Sequence, residues 1–225
     1  MSSRRVLSRS EARAVYNRIG AWQDTQAFYE APALDALAAH GAFGAAGSVF
    51  EIGCGTRRFA ERLLRAHCSP NARYEGADLS GTMVRCARTR LAAFGARATV
   101  RQTDGGLTFN RPGGTVDRVV ATYVLDLLSR RDARTLLNEA YRLLGADGRL
   151  CLAGLTWGKG LLSRLVSQGW DALQARRPAW VGGCRPLRLR PLLDEEHWRV
   201  HHHDRVVQWG VASGVLVAVP RRATS

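Results

Sequence analysis

Between Ser48 and Leu155 the chain alternates short β-rich runs with segments of helical periodicity, and this alternation restricts the fold more than any other feature. Ser48–Ile52, Tyr74–Asp78, Ala98–Arg101, Val116–Tyr123 and Arg149–Leu155 read as five strands. Between them, Phe59, Leu63 and Leu64 mark one helix face. Met83, Val84, Ala87 and Leu91 mark a second behind a Ser80 cap, and Leu136, Leu137, Ala140, Leu143 and Leu144 mark a third. Strands spaced by helices need right-handed crossovers, so they imply a parallel sheet covered on both faces, a doubly wound α/β fold. After Thr156 the pattern changes to a helical stretch, followed by two strand-like runs, Trp198–Trp209 and Val211–Val219, joined only at Gly210. So short a connection predicts a closing antiparallel hairpin.

Ahead of the alternation, residues 1–44 read as a helical cap. Ser8 and Glu11 have capping-box spacing, and Ala14, Ile19 and Trp22 recur at helix-like intervals. A polar break at Gln23–Gln26 follows, and Pro32 then opens a second helix. The main domain is expected over 45–225, with a helical insert at about 156–193.

The strongest local signal lies at the end of the first strand, in Val49-Phe50-Glu51-Ile52-Gly53-Cys54-Gly55-Thr56. A carboxylate-bearing strand runs into two glycines and then at once into a helix. Glycine lets the backbone take positive φ and approach a ligand closely, and a helix amino terminus offers free N–H groups. The dinucleotide fingerprint needs a third glycine where this chain has Arg58, so a nicotinamide-dependent reductase is disfavoured. A Walker A lysine is absent as well.

The formal charge of +14 admits nucleic acid or an anionic membrane as partner. The arginines are nevertheless spread along the chain beside acidic neighbours, and Lys159 is the sole lysine, so nucleic-acid binding is not expected. Five scattered cysteines without a CxxC pair point to reduced thiols, not to a disulfide framework or a zinc site. No run approaches the ~20 apolar residues of a membrane span. The basic first residues lead into no apolar segment, so no secretory signal is read and a cytoplasmic location is expected.

Four segments in order resemble class I S-adenosylmethionine-dependent methyltransferases, in particular the small-molecule group around the ubiquinone and phospholipid N-methyltransferases. Glu51-Ile52-Gly53-Cys54-Gly55-Thr56 resembles the first motif of that family, and Tyr74–Ser80 its acidic-ended second strand. Asp104–Phe109 with Val116–Leu125 resembles the loop and strand that follow, and Glu139–Leu150 the last helix, turn and strand. The resemblance covers about half the chain and implies a Rossmann-like fold, S-adenosylmethionine as cofactor and a small-molecule methyl acceptor. Asp78, with Leu79 beside it, would accept hydrogen bonds from the ribose hydroxyls. Asp104 and Gly105 would meet the adenine, and Gly53, Cys54 and Gly55 would pass close to the methionine moiety. Glu51 and the backbone at Thr122 and Tyr123 would hold its ammonium group.

The sulfonium methyl is already activated, so a general base is needed only for a protonated acceptor. Tyr123 and Asp126, near the strand ends, are the candidates, and Tyr16 and Tyr29 could line the acceptor pocket. Three adjacent histidines, His201, His202 and His203, cannot converge on one ion from a strand, because alternate residues face opposite sides. The stretch Leu161–Leu173 is either a substrate lid or a surface-binding amphipathic segment, and the lid is the expectation. Two readings stand against small-molecule methyl transfer. One is an RNA or protein methyltransferase, suggested by charge alone. The other is an inactive scaffold, suggested by Arg57 where the family carries a third glycine. Titrating S-adenosylmethionine into wild type and Arg57→Gly separates the roles of that arginine: much tighter binding by the variant marks obstruction, and equal binding marks a side chain that turns to solvent.

Overall fold

The computed structural model describes residues 6–19, 27–56 and 58–222. Residues buried on both faces build the middle of the sheet. In β1 (Ser48–Ile52), Val49 packs to one side while Phe50 and Ile52 pack to the other. β2 (Arg73–Asp78), β3 (Ala98–Gln102), β4 (Val116–Thr122) and β5 (Leu144–Leu155) run parallel to it. β6 (Trp198–Gln208) and β7 (Val211–Pro220) form the expected hairpin, and β7 inserts antiparallel between β5 and β6. The order across the sheet is β3-β2-β1-β4-β5-β7-β6. The chain therefore reverses its winding between β1 and β4, and in open α/β sheets a ligand crevice opens at the carboxyl ends of such a pair.

Helices cover both faces, as the alternation predicts. α2 (Ala27–His40), α3 (Arg58–Arg62, continued by a wider turn to His67) and α4 (Gly81–Leu91) bury Leu37, Phe59, Leu63, Val84 and Leu91 on one side. α5 (Arg130–Leu143) buries Leu136, Leu137, Ala140 and Leu143 on the other. Each such leucine contributes about 1.5–3 kcal/mol of apolar burial. Serine caps set both α4 and α5, with Ser80 accepting from Met83 N–H and Ser129 from Asp132 N–H. α1 (Arg9–Ile19) starts with the capping box read from the sequence, since Glu11 N–H donates to Ser8 Oγ and Ser8 N–H to Glu11. Trp22 and the break at 23–26 lie outside the described residues.

One expectation differs from the structure. Pro32 does not open α2, which begins at Ala27 and carries the proline inside. The extra turn is held by Tyr29, which is buried edge-on against Tyr123 and Trp170, so packing compensates for the hydrogen bond that proline removes. The loop read ahead of β4 joins it to β3 as an irregular segment that buries Phe109, whose N–H donates to the buried Glu139. The insert contributes α6 (Leu161–Arg176), and its leucines face outward. A β-bulge at Val200–His202 then places His202 flat against His40, with 3.6 Å between ring centroids, while His201 and His203 stay exposed.

Arg118 of β4 fixes α2 to the sheet. Its buried guanidinium donates to the carbonyls of Gly41 (2.7 Å) and Ala42 (2.6 Å), just past the helix end, and to that of Asp117. Hydrogen bonds from a charged group contribute about 1.5–3 kcal/mol each, and orphaned carbonyls cost more than absent ones. Arg118→Met is expected to lower unfolding stability in urea by about 3 kcal/mol or more. Arg149→Met, which removes a single exposed contact to His40, should stay within about 0.5 kcal/mol.

Candidate active site

The crevice at the reversal point starts from two glycines that no other residue could replace without strain. Gly53 and Gly55 take φ of +64° and +52°. A Cβ on Gly53 would stand 2.3 Å from the Val124 side chain at the exit of β4. Gly53 N–H and Cys54 N–H donate to Ala77 O, and Gly55 N–H donates to Asp78 Oδ2 at 2.8 Å. Asp78 Oδ1 accepts from Ser80 N–H. The two backbone amides orient the carboxylate, which lines a cavity of about 370 Å3 together with Gly53, Gly55, Leu79, Gly105 and Thr122.

α1 roofs this cavity. Ser8, Arg9, Ala12 and Tyr16 line it from above. The helix is latched on both sides, with Ser80 Oγ donating to Asn17 Oδ1 at 2.7 Å and Tyr16 donating to Gly182 O at 3.1 Å. Asn17 carries no recognisable sequence signal, because its role arises only when α1 is laid across the start of α4. Gly105, at φ +91°, sits where a Cβ would press on Leu79 and on the stem of Arg9.

Other expected residues take different places. Glu51 is 1% exposed and lies behind the glycine turn, bonded to Tyr74 Oη and reached by Thr122 Oγ1 at 3.5 Å. Cys54 is buried, with its thiol directed to Ala77 O at 3.2 Å. Asp104 is an exposed turn residue whose carboxylate accepts from Gly106 N–H at 2.8 Å. These three do not contribute to the cavity lining, whereas Thr103, Gly105, Gly106 and Leu107 around Asp104 do. Arg57 lies outside the described residues.

At the β4 exit, Tyr123 adopts φ +54°, a conformation that bulky residues rarely take and that clusters at functional sites. Its backbone is held by Ala153 O, and its hydroxyl pairs with Ser213 Oγ at 2.8 Å. Burial drives this phenol well above its ordinary value, so Tyr123 keeps its proton. Asp126 is different. It is 1% exposed, its Oδ2 accepts from Leu155 N–H at 3.2 Å, and among the described residues its Oδ1 has no hydrogen-bond partner. Burial raises its pKa from 3.8 to about 7 against the opposing pull of Leu155 N–H and Arg185. Tyr16, Tyr29, Tyr123 and Cys184 all feel its charge, so Asp126 is central to a cluster of buried hydroxyls and a thiol under α1 and α2.

A wider groove of about 760 Å3 lies between α2 and α3, but it is lined by Arg58, Arg62, Arg65 and Arg90 with Glu30 and Glu61, and it holds none of the strand-end residues. Among the described residues no helix is long and apolar enough to cross a membrane.

Residues 49–148 match a family described as a methyltransferase domain. No curated protein sequence matches the chain significantly. Among solved structures, N-methyltransferase NodS from Bradyrhizobium japonicum WM9 in complex with S-adenosyl-L-homocysteine is 17% identical, with a TM-score of 0.70 over 94% of this chain and 99% of that one. The mitomycin 7-O-methyltransferase MmcR is 19% identical, with a TM-score of 0.68 over 94% of this chain and 58% of that one. The [4+2]-cyclase SpnF is 14% identical, with a TM-score of 0.71 over 97% and 98%. At such identities the structural likeness speaks for the fold. The family match spans β1 into β5, the same stretch that builds the crevice, and it marks residues 49–148 as similar to a methyltransferase domain.

Proposed function

We propose that the crevice binds S-adenosylmethionine and that the chain transfers its methyl group to a small organic acceptor by in-line displacement. The observation that carries this reading is Asp78. Its carboxylate is oriented by two backbone amides and faces a cavity edged by the Cβ-free turn at Gly53 and Gly55. The residues present fit the group, because a fixed carboxylate suits a pair of ribose hydroxyls and the turn leaves room beside it. The cofactor supplies a methyl already activated on a sulfonium. Placement is then the protein's main task and can lower the barrier by ~7–11 kcal/mol.

Asp78 would accept from the ribose hydroxyls, with Leu79 and Gly105 flanking the base and the backbone at Thr122 and Tyr123 facing the methionine end. Asp104 would act from the rim of the adenine side. Glu51 and Cys54 would serve from behind the turn, Glu51 by tying Thr122 to Tyr74. Asp126 does not itself line the cavity, but it lies in the turn whose Tyr123, Val124 and Leu127 do, and from there it would take the proton of an acidic acceptor such as a hydroxyl or protonated amine. Tyr16 and Tyr29 would shape the acceptor side. Because one neighbour is titled a cyclase, the fold alone does not fix the reaction, and methyl transfer rests on the domain match and on this site.

S-adenosylhomocysteine is expected to raise the Tm of the wild type, because a ligand that binds only the native state must stabilise it. Asp78→Asn should weaken binding roughly 10- to 100-fold, the loss of hydrogen bonds to a charged group. No Tm shift at millimolar ligand would favour the inactive scaffold instead.

Asp126 yields a second expectation. With an acceptor that must lose a proton, kcat should rise with pH and level off above about 7. Asp126→Asn should lower kcat by ~10²-fold or more and flatten that profile, leaving S-adenosylhomocysteine binding unchanged. Stability runs the other way. The folded pKa lies above the unfolded 3.8, so the fold favours the protonated acid and loses that advantage as pH rises from about 4 to about 7. Asp126→Asn should therefore be more stable than wild type at about pH 8, with the gap closing toward about pH 4; a gap independent of pH would refute the buried-acid assignment.

A further inference from the structure

α6 buries polar side chains while exposing large apolar ones. Its inward face carries Ser163, Ser167 and Gln174, all buried, with Gln174 at 0% exposure, beside the partly buried Val166 and Trp170 that pack on the core. Its outward face carries Leu161, Leu162 and Leu165, exposed by 81, 68 and 58%. The serines are satisfied within the insert: Ser163 donates to Gly160 O, Ser167 donates to Ser163 O, and Gly158 N–H donates to Ser167 Oγ. Water-facing helix surfaces are normally polar, so a leucine face turned outward over a serine face turned inward marks a surface that is covered in use.

The patch extends beyond the helix. Gly210, in the turn between β6 and β7, lies against Val166 and Leu162. The other turn residue, Trp209, is 76% exposed and takes φ +51°. Turns of this hand favour asparagine, aspartate or glycine, and a tryptophan held there costs backbone strain only to stand in solvent. Leu155 pairs with Ser213 near the start of β7, so this turn and the amino end of α6 lie at the carboxyl ends of the parallel strands, the same end as the crevice.

Next to the leucines is a cavity of about 360 Å3 lined by Trp157, Lys159, Arg164, Gln168 and Arg188. From Thr156 to Arg190 seven basic residues stand against one acidic residue, Asp171. A second copy of the chain docking through this face would set these cations against their symmetry mates. An anionic bilayer answers both features, taking the leucines and Trp209 into its interface and the cations among its phosphates.

We propose that α6 and the β6–β7 turn form a docking surface for anionic phospholipid membranes, which turns the crevice end of the molecule toward the bilayer. The proposal does not depend on the methyl-transfer reading.

Flotation with phosphatidylcholine vesicles, with and without phosphatidylglycerol, tests it on the full chain. The wild type should bind only vesicles that contain phosphatidylglycerol and should be released by salt. Leu162→Glu/Leu165→Glu should abolish binding. Lys159→Glu/Arg188→Glu should weaken it more than ~20-fold, at roughly fivefold per charge near the surface. Arg130→Glu/Arg131→Glu, an equal charge change on α5, should leave it nearly intact. Brominated lipid should quench the wild type more than Trp209→Phe. All variants should keep the wild-type Tm, since the altered side chains are exposed. Absence of flotation would overturn the proposal, as would equal loss in the α5 control, which would mean bulk charge. A wild-type dimer that Leu162→Glu/Leu165→Glu dissociates would assign the face to a second copy instead.

Discussion

The reversal of strand order between β1 and β4 is the constraint on which the rest depends. The chain leaves these two paired strands toward opposite faces of the sheet, which opens a gap at their carboxyl ends, and the turn after β1 must pass that gap without filling it. Gly53 achieves this at φ +64°, so close to Val124 that even a methyl group would collide. The amides of Gly53 and Cys54 then anchor on Ala77 O, and that of Gly55 anchors on the Asp78 carboxylate. A single bend thereby fixes the open space and the charged group that faces it.

Behind the bend the polar groups divide by solvation. Glu51 is ringed by Tyr74 and Thr122 and supports the turn from within. Asp126 is buried, with one oxygen unmatched among the described residues, and burial lifts its pKa to about 7. Tyr123 is equally sheltered, but its hydroxyl is taken by Ser213, so burial only strengthens its hold on the proton. Two groups three residues apart at one strand exit thus differ in their partners, a satisfied hydroxyl at Tyr123 and a buried carboxylate at Asp126.

The elements added to the central sheet work at the same end of it. α1 closes the cavity from above through Asn17 and Tyr16, one latch on the start of α4 and one on the insert. Among the described residues, none from the insert lines the cavity. Its helix packs serine inward and leucine outward, and Trp170 reaches down to Cys184 O and the Tyr29 ring.

The sheet, the closing hairpin, the Ser80 cap, the Ser8–Glu11 capping box and the glycine turn could all be read from the residues, because periodicity and capping are local properties of a chain. The acidic end of β2 was legible for the same reason. Burial and partnership were not. Whether Glu51 and Cys54 face the cavity or stand behind it, and what Tyr123 and Asp126 are bonded to, depend on neighbours 23 to 90 residues away. The outward leucines of α6 were visible as a periodic stripe, but period alone cannot say which side of a helix meets the protein. Only the packed sheet, with the β6–β7 turn against Leu162 and Val166, decided that, because solvation is set by what surrounds a side chain and not by its place in the sequence.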